Sequence, residues 1–256
     1  MTLQDTPVLI VGAGPAGLVT AAALAHGGVA SLVIDRRTAP STLPRATTIS
    51  TRTMEIFRSW GLEDAIRSGG PDVEWLLWRC ETLARVADGV GVAVGMPTAE
   101  QSALVSPTAP ACAPQDHLES VVEAHLAGLP GARVERGVEL VALDVHPGGA
   151  AATLRDVATG AERVVHARYV VAADGSRSFT RRALGIAMHG PERLVDGVTS
   201  LFRAPLWDVV GEHRYGIYGV GGPEGGAFLP AGRDDRWGYG YLRAPGTPPP
   251  SDEELA

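Results

Sequence analysis

Lysine is missing from the 256-residue sequence, and all 22 basic residues are arginine. That excludes Schiff-base lysine chemistry and the phosphate-binding loop of nucleoside triphosphatases, both of which need an ammonium. Cysteine is nearly as scarce: Cys80 and Cys112 stand alone, too few for a disulfide framework or a zinc ribbon, and both read as buried, inert thiols. The seven histidines show neither His-x-His nor His-Glu-x-x-His spacing, so no metal site is expected. No apolar run approaches bilayer length. The N-terminal apolar run is broken by glycines and has no basic segment before it, so neither a membrane span nor a leader is expected, and a cytoplasmic protein with no membrane partner follows. The net charge of −7 argues against a nucleic-acid partner. What remains is a chain with 45% apolar residues, long enough to bury a substantial core in one domain or in two interleaved ones.

The most informative stretch runs from Pro7 to Asp35. An apolar run of strand length ends at Gly12, an alanine-rich helical run covers residues 18–26, and a second apolar run ends in Asp35. This is a strand–helix–strand unit whose first turn, Gly12-Ala13-Gly14-Pro15-Ala16-Gly17, carries G-x-G-x-x-G. Gly12 permits the tight turn, Gly14 removes the Cβ that would block a pyrophosphate, and Gly17 lets helix and strand approach. The positive end of the helix dipole faces the phosphates, and Asp35 is placed to accept from ribose hydroxyls. Dinucleotide binding follows; the fingerprint alone does not separate FAD from NAD.

Farther along, Met54, Phe57 and Trp60 form a helical stripe read as core packing, Gly61 stops that helix, and residues 62–68 read as another short one. Residues 72–114 change character: 75–78 and 90–94 suggest strands, and the rest has no helical period. Residues 115–126 return to helix with Leu118, Val121, Val122, His125 and Leu126 on one side, His125 being read as a packed or surface residue. Residues 134–165 read as a small antiparallel meander with runs at 139–145, 151–157 and 162–166. It feeds a buried strand over 169–173 that ends in Asp174-Gly175, after which Ser176 or Ser178 caps a helix reaching Leu184. Asp174 has two open readings: a turn residue before a helix, or a carboxylate at a strand's C-terminal end facing a cofactor crevice. Runs at 198–202, 215–220, 227–230 and 237–242 suggest a second sheet layer with a concave, aromatic-bearing face. Ser251 and Glu254 have capping-box spacing and announce a helix.

The glycine fingerprint, Pro44-Arg45-Ala46, the helix over 52–62, Gln115, and the segment from Tyr169 to Arg181 with Asp174-Gly175, Ser178 and Arg181 together resemble one family. It is the group A flavin-dependent monooxygenases of the para-hydroxybenzoate hydroxylase fold, in their branch of bacterial aromatic polyketide hydroxylases. The likeness runs from Pro7 to about Leu242. It implies an α/β fold: a Rossmann-like FAD-binding domain from residues 1–71 and 115–185, interleaved with an antiparallel β substrate layer from 72–114 and 186–250. By that resemblance Gly12, Gly14, Pro15, Ala16 and Gly17 line the FAD pyrophosphate and Asp35 holds the adenosine ribose. Arg36 flanks the adenine side, Arg45 and Gln115 reach the phosphate and ribityl portion, and Asp174-Gly175 serves both FAD and passing NAD(P)H. The implied activity is hydroxylation of an aromatic, polyketide-type small molecule with NAD(P)H and O2, through a flavin C4a-hydroperoxide. The hard chemistry is the cofactor's, so no catalytic acid or base is assigned. For His189, Arg203, His213, Tyr215 and Tyr239 a structural or surface role is preferred.

Two departures stand out. Asp35 occupies a position where the family more often has Glu. The family's third motif, Gly-Asp, is missing, for that dipeptide does not occur here. With the helix announced over 251–256, this leads to the expectation of an N-terminal portion lacking the family's C-terminal part, with a separate C-terminal half as a candidate partner. The rival expectation is a non-catalytic FAD- or partner-binding module, inactive as the isolated chain.

Overall fold

A computed structural model describes residues 3–191, 194–221, 225–243 and 246. The capping-box spacing of Ser251 and Glu254 lies outside the described residues. From the N-terminus the elements are β1 (Leu3–Val11), α1 (Pro15–His26), β2 (Ser31–Asp35), β3 (Thr48–Ile49), α2 (Thr51–Ser59), α3 (Glu63–Arg67) and β4 (Glu74–Arg79). A 3-10 turn (Leu83–Asp88), β5 (Val90–Ala93), α4 (Ala99–Ala103), β6 (Ala111–Cys112), α5 (Gln115–Ala127), β7 (Ala132–Arg136) and β8 (Val138–His146) follow. The remainder is β9 (Gly149–Asp156), β10 (Glu162–Ala172), α6 (Phe179–Ala183), β11 (Asp196–Arg203), α7 (Leu206–Val210), β12 (Tyr215–Gly219), β13 (Ala227–Pro230) and β14 (Arg236–Arg243).

The chain divides into two compact units, each made of two segments: Met1–Leu43 with Leu118–His189, and Pro44–His117 with Gly190–Ala256. The first change of unit therefore falls at Pro44 and not at residue 72. Residues 44–71 belong with the second unit because they close onto the β3–β6 ribbon. Ala113 N–H donates to Thr47 O and Gln115 N–H to Ala46 O, both at 2.8 Å. Arg67 Nη2 donates to the Thr108 hydroxyl at 2.9 Å and to Ala109 O at 2.7 Å. The second change of unit falls inside α5, between His117 and Leu118.

In the first unit the strand order is β7-β2-β1-β10-β9-β8, parallel from β7 through β10 and antiparallel thereafter. The β1–α1–β2 crossover is the one read from the sequence, and its parallel pairing needs the intervening helix. Leu9, Val11, Leu32, Ile34, Leu154 and Val165 share one core cluster. Each fully buried aliphatic side chain contributes about 1.5–3 kcal/mol.

The expected meander over 134–165 needs correction. Residues up to Arg136 form β7, an edge strand parallel to β2, because Gly137 at φ +73° turns the chain before β8 begins. The meander is β8–β9–β10. The strand that ends at Asp174 is also not a separate buried one. It is the far end of the eleven-residue β10, and Tyr169 on it is 60% exposed.

The second unit holds a sheet in the order β11-β14-β13-β12-β4-β5, antiparallel except where β4 and β12, from different chain segments, run parallel. Directly paired residues share a face. One face carries Phe202, Trp237, Phe228, Tyr218 and Trp78, packed against Leu83, Val86 and Val210 of the 3-10 turn and α7. Tyr218 and Trp237 are fully buried there and Trp78, Phe202 and Phe228 half-buried, so much of the aromatic face expected from the sequence is packed as core. The opposite face is aliphatic and glycine-rich: Leu201, Gly238 and Leu229 form one row, Thr199, Gly240, Ala227 and Gly219 the next. Leu201 and Leu242 on that face are 40% and 70% exposed.

Candidate functional site

The glycine turn is built as the spacing predicted. Gly12 sits at φ +110°, a conformation that side chains avoid, and donates its N–H to Ile34 O at 2.8 Å. A Cβ on Gly17 would fall 1.8 Å from Gly12 O, so helix and strand touch through it. Gly14 is the N-cap of α1, with Pro15 at the first helical position; no side chain caps that end. Ala16 follows Pro15 in the first turn of the helix, and Gly17, Leu18, Ala21 and Ala22 are buried. The space a Gly14 Cβ would enter is open, its nearest protein atom being Glu119 Oε1 at 4.0 Å. A twelve-residue helix ending in an uncapped, Cβ-free turn is a fit for a pyrophosphate.

Asp174 comes to the same end of the sheet. Val11 pairs with Ala172, and Ala173 donates its N–H to Val11 O at 2.8 Å. Its carboxylate turns toward α6, accepting from the Ser178 hydroxyl at 2.6 Å and from Thr180 N–H and Oγ1 at 2.9 and 3.0 Å. Burial pushes the carboxyl pKa up, but these bonds, Ser178's first, carry it below the usual range. Of the two candidates for the cap of α6, Ser178 is the one observed, accepting from Arg181 N–H at 2.9 Å. Gly175, at φ +79°, has nothing within 4 Å of where its Cβ would be.

Asp35 ends β2 nearly buried, with Ala13 N–H donating to it at 2.9 Å; Arg36 beside it is exposed. Arg45 and Gln115 belong to the second unit, where the Gln115-to-Ala46 hydrogen bond makes the two positions neighbours although 70 residues separate them in sequence. Asp116, next to Gln115, receives Arg236 Nη1 and Nη2 at 2.8 and 3.0 Å, which ties the start of α5 to β14.

Sequence reasoning passed over two residues. Arg37 binds Asp35, and a signal existed in the spacing, since Asp accepts readily from the backbone two residues on. Glu119 is fully buried on α5 beside Gly14; the apolar pattern around it gave no sign. Of the remaining candidates, His189 is exposed and the others have structural partners, Arg203 donating to Asp234 O at 2.6 Å. His213 and Tyr215 stack on Trp78, and Tyr239 packs against Phe228. Cys112 is buried, its thiol pushed up to about 12 by that burial. Cys80 is only half-buried, short of the burial expected for it. Among the described residues, no three or more potential metal ligands gather and no helix is long and apolar enough to cross a membrane.

Parallel strand order, glycine turn and open helix end define a dinucleotide-binding α/β protein. Residues 5–254 match the family described as FAD binding domain, and the chain belongs to that family. It is 37% identical over 251 residues to aklavinone 12-hydroxylase DnrF of Streptomyces peucetius subsp. caesius, covering 95% of this chain and 50% of that protein. It is 34% identical over 269 residues to tetracenomycin A2 monooxygenase-dioxygenase of Streptomyces glaucescens, covering 96% and 47%. The fold superposes on the flavin-dependent monooxygenase PieE, solved with FAD and substrate, at a TM-score of 0.86 and 28% identity over 98% of this chain and 45% of that one. For aklavinone-11 hydroxylase with FAD and aklavinone the values are 0.81 and 29%, over 97% and 48%. The chain spans about half the length of the curated relatives it matches.

Proposed function

We propose that the chain is the cofactor- and substrate-binding portion of an FAD-dependent, NAD(P)H-consuming monooxygenase acting on an aromatic, polyketide-type small molecule. One observation carries the reading: the glycine turn, the uncapped end of α1 and the Asp174-Gly175 segment meet at one end of the first sheet. Gly12, Gly14, Pro15, Ala16 and Gly17 line the pyrophosphate. Arg36 and Arg45 offer guanidinium groups, Arg45's suited to phosphate oxygens, and Gln115 and Asp174-Gly175 complete the set. FAD, reduced by NAD(P)H, supplies the activation of O2, while the protein orients the substrate ring and excludes water.

The aromatic substrate class is supported by the named substrates of the relatives. It is supported also by the second sheet's aliphatic face, where Gly219, Gly238 and Gly240 carry no side chain and Leu201 and Leu242 are exposed. A cytoplasmic setting suits the NAD(P)H requirement. A second reading, a flavin- or partner-binding module that does not turn over by itself, is favoured by the chain's spanning only half of its relatives' length.

Titration with FAD followed by an NADPH-oxidation assay separates the two. Weak, saturable FAD binding with negligible oxidation, restored when the C-terminal half of a relative is supplied, is the expected result. Rapid NADPH oxidation by the chain alone would exclude the second reading, and no FAD binding under any condition would exclude both.

A further inference from the structure

Asp35 closes β2 beside the glycine turn, where the adenosine ribose of a bound dinucleotide is expected. Its carboxylate is already engaged. Oδ2 accepts Ala13 N–H at 2.9 Å and Arg37 Nη2 at 3.1 Å. Oδ1 accepts the Arg37 backbone N–H at 2.8 Å and Arg37 Nε at 3.2 Å. An ionised carboxylate has about four lone-pair sites, and these four donors occupy them. Only 8% of the side chain is exposed. Burial by itself would raise its pKa; the bonds from the Arg37 side chain, then from the Arg37 and Ala13 backbone, carry it below the usual carboxylate range. Arg37 is also in the field of Glu119, the buried acid beside Gly14.

We propose that Asp35 is a positioning residue that locks the glycine turn through the Ala13 amide, with Arg37 as its counter-ion, and that this carboxylate does not read the ribose hydroxyls. The second half rests on the FAD-binding reading above; the lock itself involves no ligand. Losing the Arg37 side chain would vacate the two sites taken by Nε and Nη2 while leaving Ala13 bound. Asp35 would then become able to accept from a ribose.

The test uses the isotope-labelled 256-residue chain, amide hydrogen exchange at Ala13, and displacement of FAD by ADP or by 2′,3′-dideoxy-ADP. In the wild type both nucleotides displace FAD equally, within about twofold. Asp35→Ala speeds Ala13 exchange by about tenfold or more, while Arg37→Met leaves it within about threefold. Arg37→Met also gains a preference for ADP of roughly tenfold, the worth of one hydrogen bond to an ionised group. A wild type that already prefers ADP tenfold, with the preference lost in Asp35→Ala, overturns the assignment and leaves the flavin reading standing. Ala13 exchange unchanged in Asp35→Ala overturns the lock. A chain that binds no FAD contradicts the flavin reading alone, since the Ala13 amide decides the lock without a ligand.

Discussion

Gly12 and Asp174 stand back to back where β1 and β10 end: a Cβ on Gly12 would lie 3.1 Å from Asp174 Cα and 2.3 Å from Ala173 O. Two segments 162 residues apart in the sequence are thus held in contact by the absence of one methyl group. Gly12→Ala is expected to destabilise the apo chain by about 2–4 kcal/mol, combining a disfavoured φ with overlap against backbone that cannot move away. Urea unfolding measures it, and a change below about 1 kcal/mol would show that the two strand ends are not packed this way.

Gly14 behaves oppositely. Its φ of −84° suits any residue and its Cβ would meet no protein atom closer than 4.0 Å. Gly14→Val should leave the unfolding midpoint almost unchanged, allowing up to about 1 kcal/mol for a β-branched residue beside a helix start, while reducing FAD affinity severely. Equal flavin binding by variant and wild type would place the pyrophosphate elsewhere.

The His26–His125 pair makes stability pH-dependent. Their Nε2 atoms lie 2.9 Å apart and the rings stack with centroids 5.2 Å apart, so one proton serves both. Burial, then the charge of His26, holds the His125 pKa below its ordinary 6.5. With the folded value below the unfolded one, the unfolded chain binds more protons as pH falls. The contribution is present above pH 6.5 and is lost as pH drops through the lower, folded value. Thermal melting between pH 8 and pH 5 should show a decline that is shallower in His125→Gln, and parallel curves would contradict it.

The Asp116–Arg236 pair is bidentate, with side chains 18% and 21% exposed. Breaking it by Asp116→Asn or Arg236→Met should cost about 1–3 kcal/mol in a urea unfolding experiment. In a double-mutant cycle the two substitutions should be clearly non-additive. Additive effects would mean that the pair does not act as a unit.

Much of this was legible in the sequence because it rests on local chemistry. The periods of α1, α2 and α5, the alternation in β8, β9 and β11 to β14, and the Gly12-to-Asp35 spacing each follow from neighbours within a few residues. What escaped depends on partners far along the chain. Nothing in residues 132–136 shows that they pair with β2, and β10 reads as two strands because its halves have different burial on either side of Ala167. The short helices α4 and α7 have too few turns to show a period, although the Thr98–Gln101 capping box was a readable mark for α4. The aromatic face of the second sheet was expected to be concave; sequence does not say which side the 3-10 turn and α7 will cover. At the candidate site, the glycine turn was legible as a turn, while the Arg37 hold on Asp35 and the burial of Glu119 emerged only once β2, α1 and α5 were in place.

The most direct measurement is a flavin-fluorescence titration of the wild-type chain and Gly14→Val side by side, with unfolding midpoints recorded on the same preparations. The expected outcome is saturable quenching in the wild type, lost in a variant whose stability is nearly unchanged. Indistinguishable titrations for the two proteins, or no binding by either, would contradict the placement of FAD at the Gly12–Gly17 turn.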